Sequence, residues 1–333
     1  MIKSNNYKKW GIFMAKSDMH PVHQFESWQV WPGSYGNRFT PGNYPHADST
    51  GLNIDKTTPI ASMGSCFARE IRKVLLKHEY NYILEETDKW AACHASAAWE
   101  RTYNTFSMRQ IFDYTFNEFS PETRWWISPD TGQVQDPYRR IILYDSVAQA
   151  EADFKSHIEY SKKAIKRARV FILTLGLTEI WEDVRDKSVI CLPSGPYVNE
   201  GGDMSKYRFR VSRYRENLDN LDNIYHTLKR NNPDCKLIVT VSPVHLWATF
   251  RDDMDVISAN CNSKSTLRAA ADEFVGNYED AFYFPSYEIA TSFNQLMNKS
   301  PFVTGKENFH INQETVELIM KHFFEYYSVP KAA

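Results

Sequence analysis

From about residue 58 onward, short runs that are apolar throughout alternate with longer segments whose apolar residues recur every three or four positions. The continuous runs fall at 59–63, 170–175, 237–241 and 281–284. The periodic segments carry Phe67, Ile71, Val74 and Leu75, then Met108, Ile111, Phe112 and Phe116, then Phe154, Ile158 and Ile165. Further along come Leu218, Leu221, Ile224, Tyr225 and Leu228, then Leu267, Ala271 and Phe274, and last Val316, Ile319, Met320 and Phe323. Repeats of three and four predict amphipathic helices, and Ser107, Ser212, Ser263 and Asn312 stand where caps are expected. A strand with no polar face is buried on both sides. Alternating with helices, such strands predict an α/β fold built on a parallel sheet.

Sheets of this kind place their sites beyond the carboxyl ends of the strands. That rule selects residues 64–68, 176–182, 242–247 and 285–288. Residues 183–211 read as a long loop, a common functional position. Residues 1–55 are rich in Pro, Gly, Asn, Ser, His and Trp, with little periodicity. They read as an irregular extension packing on a main domain over 56–330.

Composition narrows the function. The 333 residues are 42% hydrophobic, enough for a sizeable core. Aromatic residues make up 14%, which serves either a large core or a cleft that stacks sugar rings. A formal net charge of -2 points away from a nucleic-acid partner, and the densest basic stretch, Lys162 to Arg167, reads as a solvated helix face. Five scattered cysteines (66, 93, 191, 235 and 261) form no CxxC pair, so a reducing compartment, the cytoplasm, is expected. No apolar run is long enough to span a membrane and none resembles a signal peptide. No cofactor or metal is expected. His20 and His23 are a pair without a third ligand nearby.

The chemistry concentrates in a few places. Gly64-Ser65-Cys66 puts a small nucleophile at a helix start directly after a strand. Helix N-termini favour an anionic sulfur or oxygen, and the oxyanion formed after attack. The plainer alternative is that Ser65 caps the helix and Cys66 fills space. Glu307 precedes His310 by three residues, so its carboxylate can orient the imidazole and leave the second nitrogen as a base. Gly176 and Thr178 can offer oxyanion donors. Glu179 and Glu182 read instead as paired carboxylates, a weaker alternative. His245 is a rival base, and Asn104 is either a turn residue or an oxyanion donor.

Gly64-Ser65-Cys66-Phe67-Ala68 resembles the signature of the GSCFA family. So do Thr174-Leu175-Gly176-Leu177-Thr178-Glu179, Thr240-Val241-Ser242-Pro243-Val244, Ser263-Lys264 with Leu267-Arg268, and Tyr283-Phe284-Pro285-Ser286-Tyr287-Glu288. The resemblance implies the SGNH (GDSL-like) fold, a three-layer α/β/α sandwich with a short, mostly parallel, flavodoxin-like sheet. It also implies esterase or acyltransferase chemistry on an O-acyl group, with a small-molecule or glycan substrate. In register with the superfamily's Gly-Asp-Ser-Leu block, Cys66 takes the nucleophile position; a shift of one makes it Ser65. Thr178 stands where the superfamily has an oxyanion Asn, which leaves that role open to Asn104. Glu307 stands where it has Asp. A non-catalytic module that binds a glycan or anion on the same fold is the other expectation.

Overall fold

The computed structural model describes residues 27–31, 44, 52–89, 94–100, 102–116, 119–193 and 203–328. His20, His23 and Cys93 lie outside these, as does most of the 1–55 extension. Of that extension, Leu52 and Ile54 are buried, and the Ile54 N–H donates to the Tyr327 carbonyl at 2.7 Å.

The elements run β1 (Ile60–Gly64), α1 (Cys66–Lys77), α2 (Thr105–Thr115), β2 (Trp126–Ile127), β3 (Val134–Gln135), β4 (Leu143–Tyr144), α3 (Val147–Arg167) and β5 (Val170–Leu175). Then follow β6 (Glu179–Asp183), β7 (Val189–Ile190), β8 (Tyr207–Val211), α4 (Tyr214–Asn231), β9 (Lys236–Val241), α5 (Val256–Asn277) and β10 (Ala281–Tyr283). The last stretch holds α6 (Ser286–Glu288), a π-helical turn (Ile289–Phe293), α7 (Asn294–Leu296) and α8 (Gln313–Tyr327).

The central sheet has the order β1-β5-β9-β10, and every pairing in it is parallel. Alternation along β5 sets the three layers. Phe171, Leu173 and Leu175 face a core made with α2, α4 and α5, through Phe112, Leu221 and Phe274 among others. Val170 and Ile172 face the opposite core, with Phe67, Ile71 and Leu75 of α1 and Ile319, Met320 and Phe323 of α8. All six β5 residues are buried, which is why the run carries no polar face. Truncating a side chain such as Phe171 to Ala costs about 3–5 kcal/mol through lost burial and the cavity left behind. The fold is thus a helix–sheet–helix sandwich of the expected class. No described helix is long and apolar enough to cross a membrane.

Four expectations are corrected. Residues 183–211 are not one loop: β6 pairs antiparallel with β7 and β8 in a second small sheet. Helix α2 is capped by Asn104, whose Oδ1 accepts from the Ser107 N–H at 2.8 Å, so Ser107 lies inside the first turn. The α4 cap position is Arg213, while Ser212 donates to the Thr178 carbonyl. Helix α5 starts at Asp255, seven residues before Asn262, and Ser263 sits buried in its third turn.

Candidate active site

Strand β1 ends on a backbone that only glycine accommodates. Gly64 has φ +143°, and a Cβ there would fall 2.3 Å from Thr174 Oγ1 and 2.5 Å from the Thr174 carbonyl. The chain therefore turns tightly against β5 and enters α1 at once. Ser65 is the cap. Its backbone is extended, its Oγ accepts from the Phe67 N–H, and its own N–H donates to Thr174 Oγ1 at 2.9 Å. At 2% exposure, with Oγ also 3.2 Å from Thr174 Oγ1, Ser65 is committed to holding the helix start.

Cys66 is the first helical residue, at 8% exposure. Its Sγ lies 3.8 Å from Tyr103 Oη, and its side chain is within interacting range of the His310 imidazole. That contact is the main reason the imidazole pKa is raised; burial opposes it, and Glu307 adds a smaller upward pull. His310 Nδ1 sits 3.1 Å from Glu307 Oε2, close enough for an ion pair but without hydrogen-bond alignment. The carboxylate is 73% exposed, so water screens its pull.

The loop that carries His310 is pinned by backbone bonds. The His310 N–H donates to the Glu307 carbonyl at 2.9 Å, and the His310 carbonyl accepts from Val303 at 3.0 Å. Two residues later Asn312 caps α8 through the Thr315 N–H. His245 reaches the same loop by its backbone, donating its N–H to the Phe309 carbonyl at 3.0 Å. Its ring packs on Phe302 with centroids 4.2 Å apart. Burial and the nearby Lys264 pull its pKa down to about 4, so it is neutral at pH 7. The imidazole at the Cys66 sulfur is His310; His245 contributes a backbone contact.

The oxyanion candidates divide. The Gly176 N–H is already donated to the Tyr103 carbonyl at 2.8 Å, and a Cβ on Gly176 would fall 2.8 Å from that same oxygen. Gly176 is therefore a close-approach residue and its N–H is spent. Thr178 is fully buried with its hydroxyl 2.9 Å from Ser263 Oγ. Asn104 differs: it is fully buried, and Nδ2 has no hydrogen-bond partner among the described residues. Its neighbour Thr102 donates to the Gly64 carbonyl at 3.0 Å, which lays this segment along the end of β1. Glu179 accepts from Thr249 Oγ1 and the Phe250 N–H, bracing the loop after β9. Glu182 pairs with Arg208 and Arg210. The two carboxylates thus serve separate partners and are not an acid–base couple.

The GSCFA family model matches residues 59–323, which include both Cys66 and His310. The chain belongs to the GSCFA family. The comparison with curated proteins found no match. In this GSCFA chain the pentapeptide Gly64 to Ala68 is thus the strand end, turn and helix start that present the thiol. Among the described residues, no group of three His, Cys, Asp or Glu side chains is placed to hold a metal ion.

Sequence reasoning gave no role to three residues that shape the site: Thr174, which receives the Ser65 N–H, Tyr103, which touches the sulfur, and Lys264. Only their places in matched segments, or beside a candidate residue, could have signalled them.

Proposed function

We propose that this GSCFA protein is an SGNH-like acyl hydrolase or acyltransferase in which Cys66 attacks an O-acyl group and His310 manages its proton. The observation that carries the reading is the juxtaposition of Cys66, at the N-terminus of α1, with the imidazole of His310, from the loop before α8, whose pKa Cys66 raises. A thiol at a helix's positive end beside an imidazole is an activated nucleophile. In the acylation step the sulfur bonds to the acyl carbon and His310 takes the thiol proton. The tetrahedral intermediate then collapses, and His310 returns that proton to the departing alkoxide. Water or an acceptor hydroxyl releases the acyl group by the same steps in reverse. The Asn104 Nδ2, which has no hydrogen-bond partner among the described residues, and the N-terminal end of α1 supply the oxyanion's surroundings. Glu307 orients the imidazole.

A carbohydrate ester fits best. A cleft of about 940 Å³, bordered by neither Cys66 nor His310, is lined by Phe209 and Phe250 and by charged side chains, Glu182, Arg208, Arg210 and Arg251 among them. Aromatic faces beside planar hydrogen-bonding groups are the lining a sugar ring uses. Thiols at all four described cysteines accord with a reducing, cytoplasmic setting.

The test is intact-protein mass spectrometry with an activated acetyl ester and with acetylated oligosaccharides. A wild-type acetyl adduct that maps to Cys66, disappears in Cys66→Ala and persists in Ser65→Ala supports the reading. An adduct on Ser65, or none on either residue, sinks it. The alternative, a non-catalytic module, draws on the exposed Glu307 and its poorly aligned contact with His310. It expects glycan binding without any adduct.

A further inference from the structure

Lys264 lies on α5 with 2% exposure. Its Nζ donates to the Gly176 carbonyl at 2.7 Å and to the Val244 carbonyl at 2.8 Å. Burial alone shifts its amine, down to about 7, with no charged partner contributing. Its amine finds two carbonyls, so the lysine can sit in the interior with hydrogen-bond partners.

The two carbonyls lead to the two halves of the site. From Gly176, the N–H groups of Gly176 and Leu177 donate to the Tyr103 carbonyl at 2.8 and 3.0 Å, and Tyr103 Oη meets the Cys66 sulfur at 3.8 Å. From Val244, the next residue, His245, donates its N–H to the carbonyl of Phe309, the neighbour of His310. One buried amine thus stands at the fork of two hydrogen-bonded paths, one ending at the thiol and the other at the imidazole.

We propose that Lys264 is a positioning residue that sets the approach of His310 to Cys66 by tying the turn after β5 to the turn after β9. The inference rests on the Cys66–His310 reading given above and adds the element that holds the pair in register. A lysine that merely filled volume would need neither carbonyl. One that holds register should share its effect with His310, because it acts through the same contact.

The experiment follows alkylation of Cys66 by iodoacetamide across pH 5–9 in the full-length protein, read at the Cys66 peptide by mass spectrometry. It compares wild type, Lys264→Met, His310→Asn and the double variant, with thermal melts establishing that each is folded. His310→Asn reports on the underlying reading: a rate and profile equal to wild type would remove the Cys66–His310 pair itself. Given that dependence, Lys264→Met is expected to slow alkylation roughly tenfold to a hundredfold and shift the profile toward that of His310→Asn. The double variant is expected to lose nothing further. A folded Lys264→Met protein with the wild-type profile, or losses that multiply in the double variant, overturns the positioning role while leaving Cys66 and His310 in place. If Lys264→Met does not fold, Lys264→Arg is read in the same way. Failure of both to fold assigns Lys264 to the fold's stability and also overturns the proposal.

Discussion

The imidazole of His310 interacts with the side chain of Cys66 and meets Glu307 Oε2 at 3.1 Å. The sulfur contact dominates the upward shift of the imidazole pKa. NMR titration should therefore find His310 above the ordinary histidine value of about 6.5 in wild type, and lower in Cys66→Ala. A raised folded pKa means that the pair stabilises the fold fully below about pH 6.5 and loses that contribution as pH rises through the folded value. The stability gap between wild type and His310→Asn should shrink between pH 5.5 and pH 8.5 in urea melts. An unchanged gap, or a His310 that titrates at or below the ordinary value, would remove the contact from the account.

Asn104 carries two separable duties. Its Oδ1 caps α2, and its Nδ2 is a buried donor without a hydrogen-bond partner among the described residues. Ser also caps helices but has no amide, so Asn104→Ser should keep the melting temperature within a few degrees. Turnover of an activated ester should fall by roughly 10²–10³ if the amide faces the oxyanion. Loss of stability with undiminished turnover would leave Asn104 as a cap alone.

Gly64→Ala tests the turn that presents the thiol. The added methyl meets Thr174 Oγ1 and carbonyl atoms and forces an L-residue to φ +143°. Strain of this kind costs on the order of 1–3 kcal/mol before any clash is counted. We expect a clear drop in the urea midpoint and slower alkylation at Cys66. A variant as stable as wild type would mean that the start of α1 can shift freely.

His245 gives an acid-side signature. Its folded pKa, about 4, lies below the unfolded value, so between about pH 6.5 and 4 the unfolded chain binds the extra proton. Stability should fall as pH drops through that window. His245→Gln should flatten the fall, measured by thermal melts at successive pH values; an equally steep loss in the variant assigns acid sensitivity to other groups.

How much of this was legible in the sequence follows from burial. Strand β5 and its partners announce themselves because both faces are apolar, and α1 because Phe67, Ile71 and Leu75 share a face directly after Gly64. The small sheet was hidden because its strands mix signals: Glu182 in β6 is satisfied by Arg208 and Arg210 in β8, and charged pairs of this sort read as loop. Helix starts were misread where several small polar residues competed, as at Asn104 and Ser107. The Ser65–Cys66 ambiguity could not be resolved by spacing, because both residues lie at the same turn and only their partners, Thr174 and His310, separate them. Lys264 escaped notice because a lysine in a helix ordinarily marks its wet side.

The openness of Glu307 has a consequence for how the centre tolerates change. Its carboxylate stands in solvent, where dissolved ions weaken its reach within about 8 Å at ordinary salt, whereas the sulfur acts on the ring from a sheltered side. Basicity at this centre is thus set from within, and the outer acid works as a trim. Shortening that acid by one methylene, or bathing it in brine, should disturb the ring far less than any alteration at the root of the first helix.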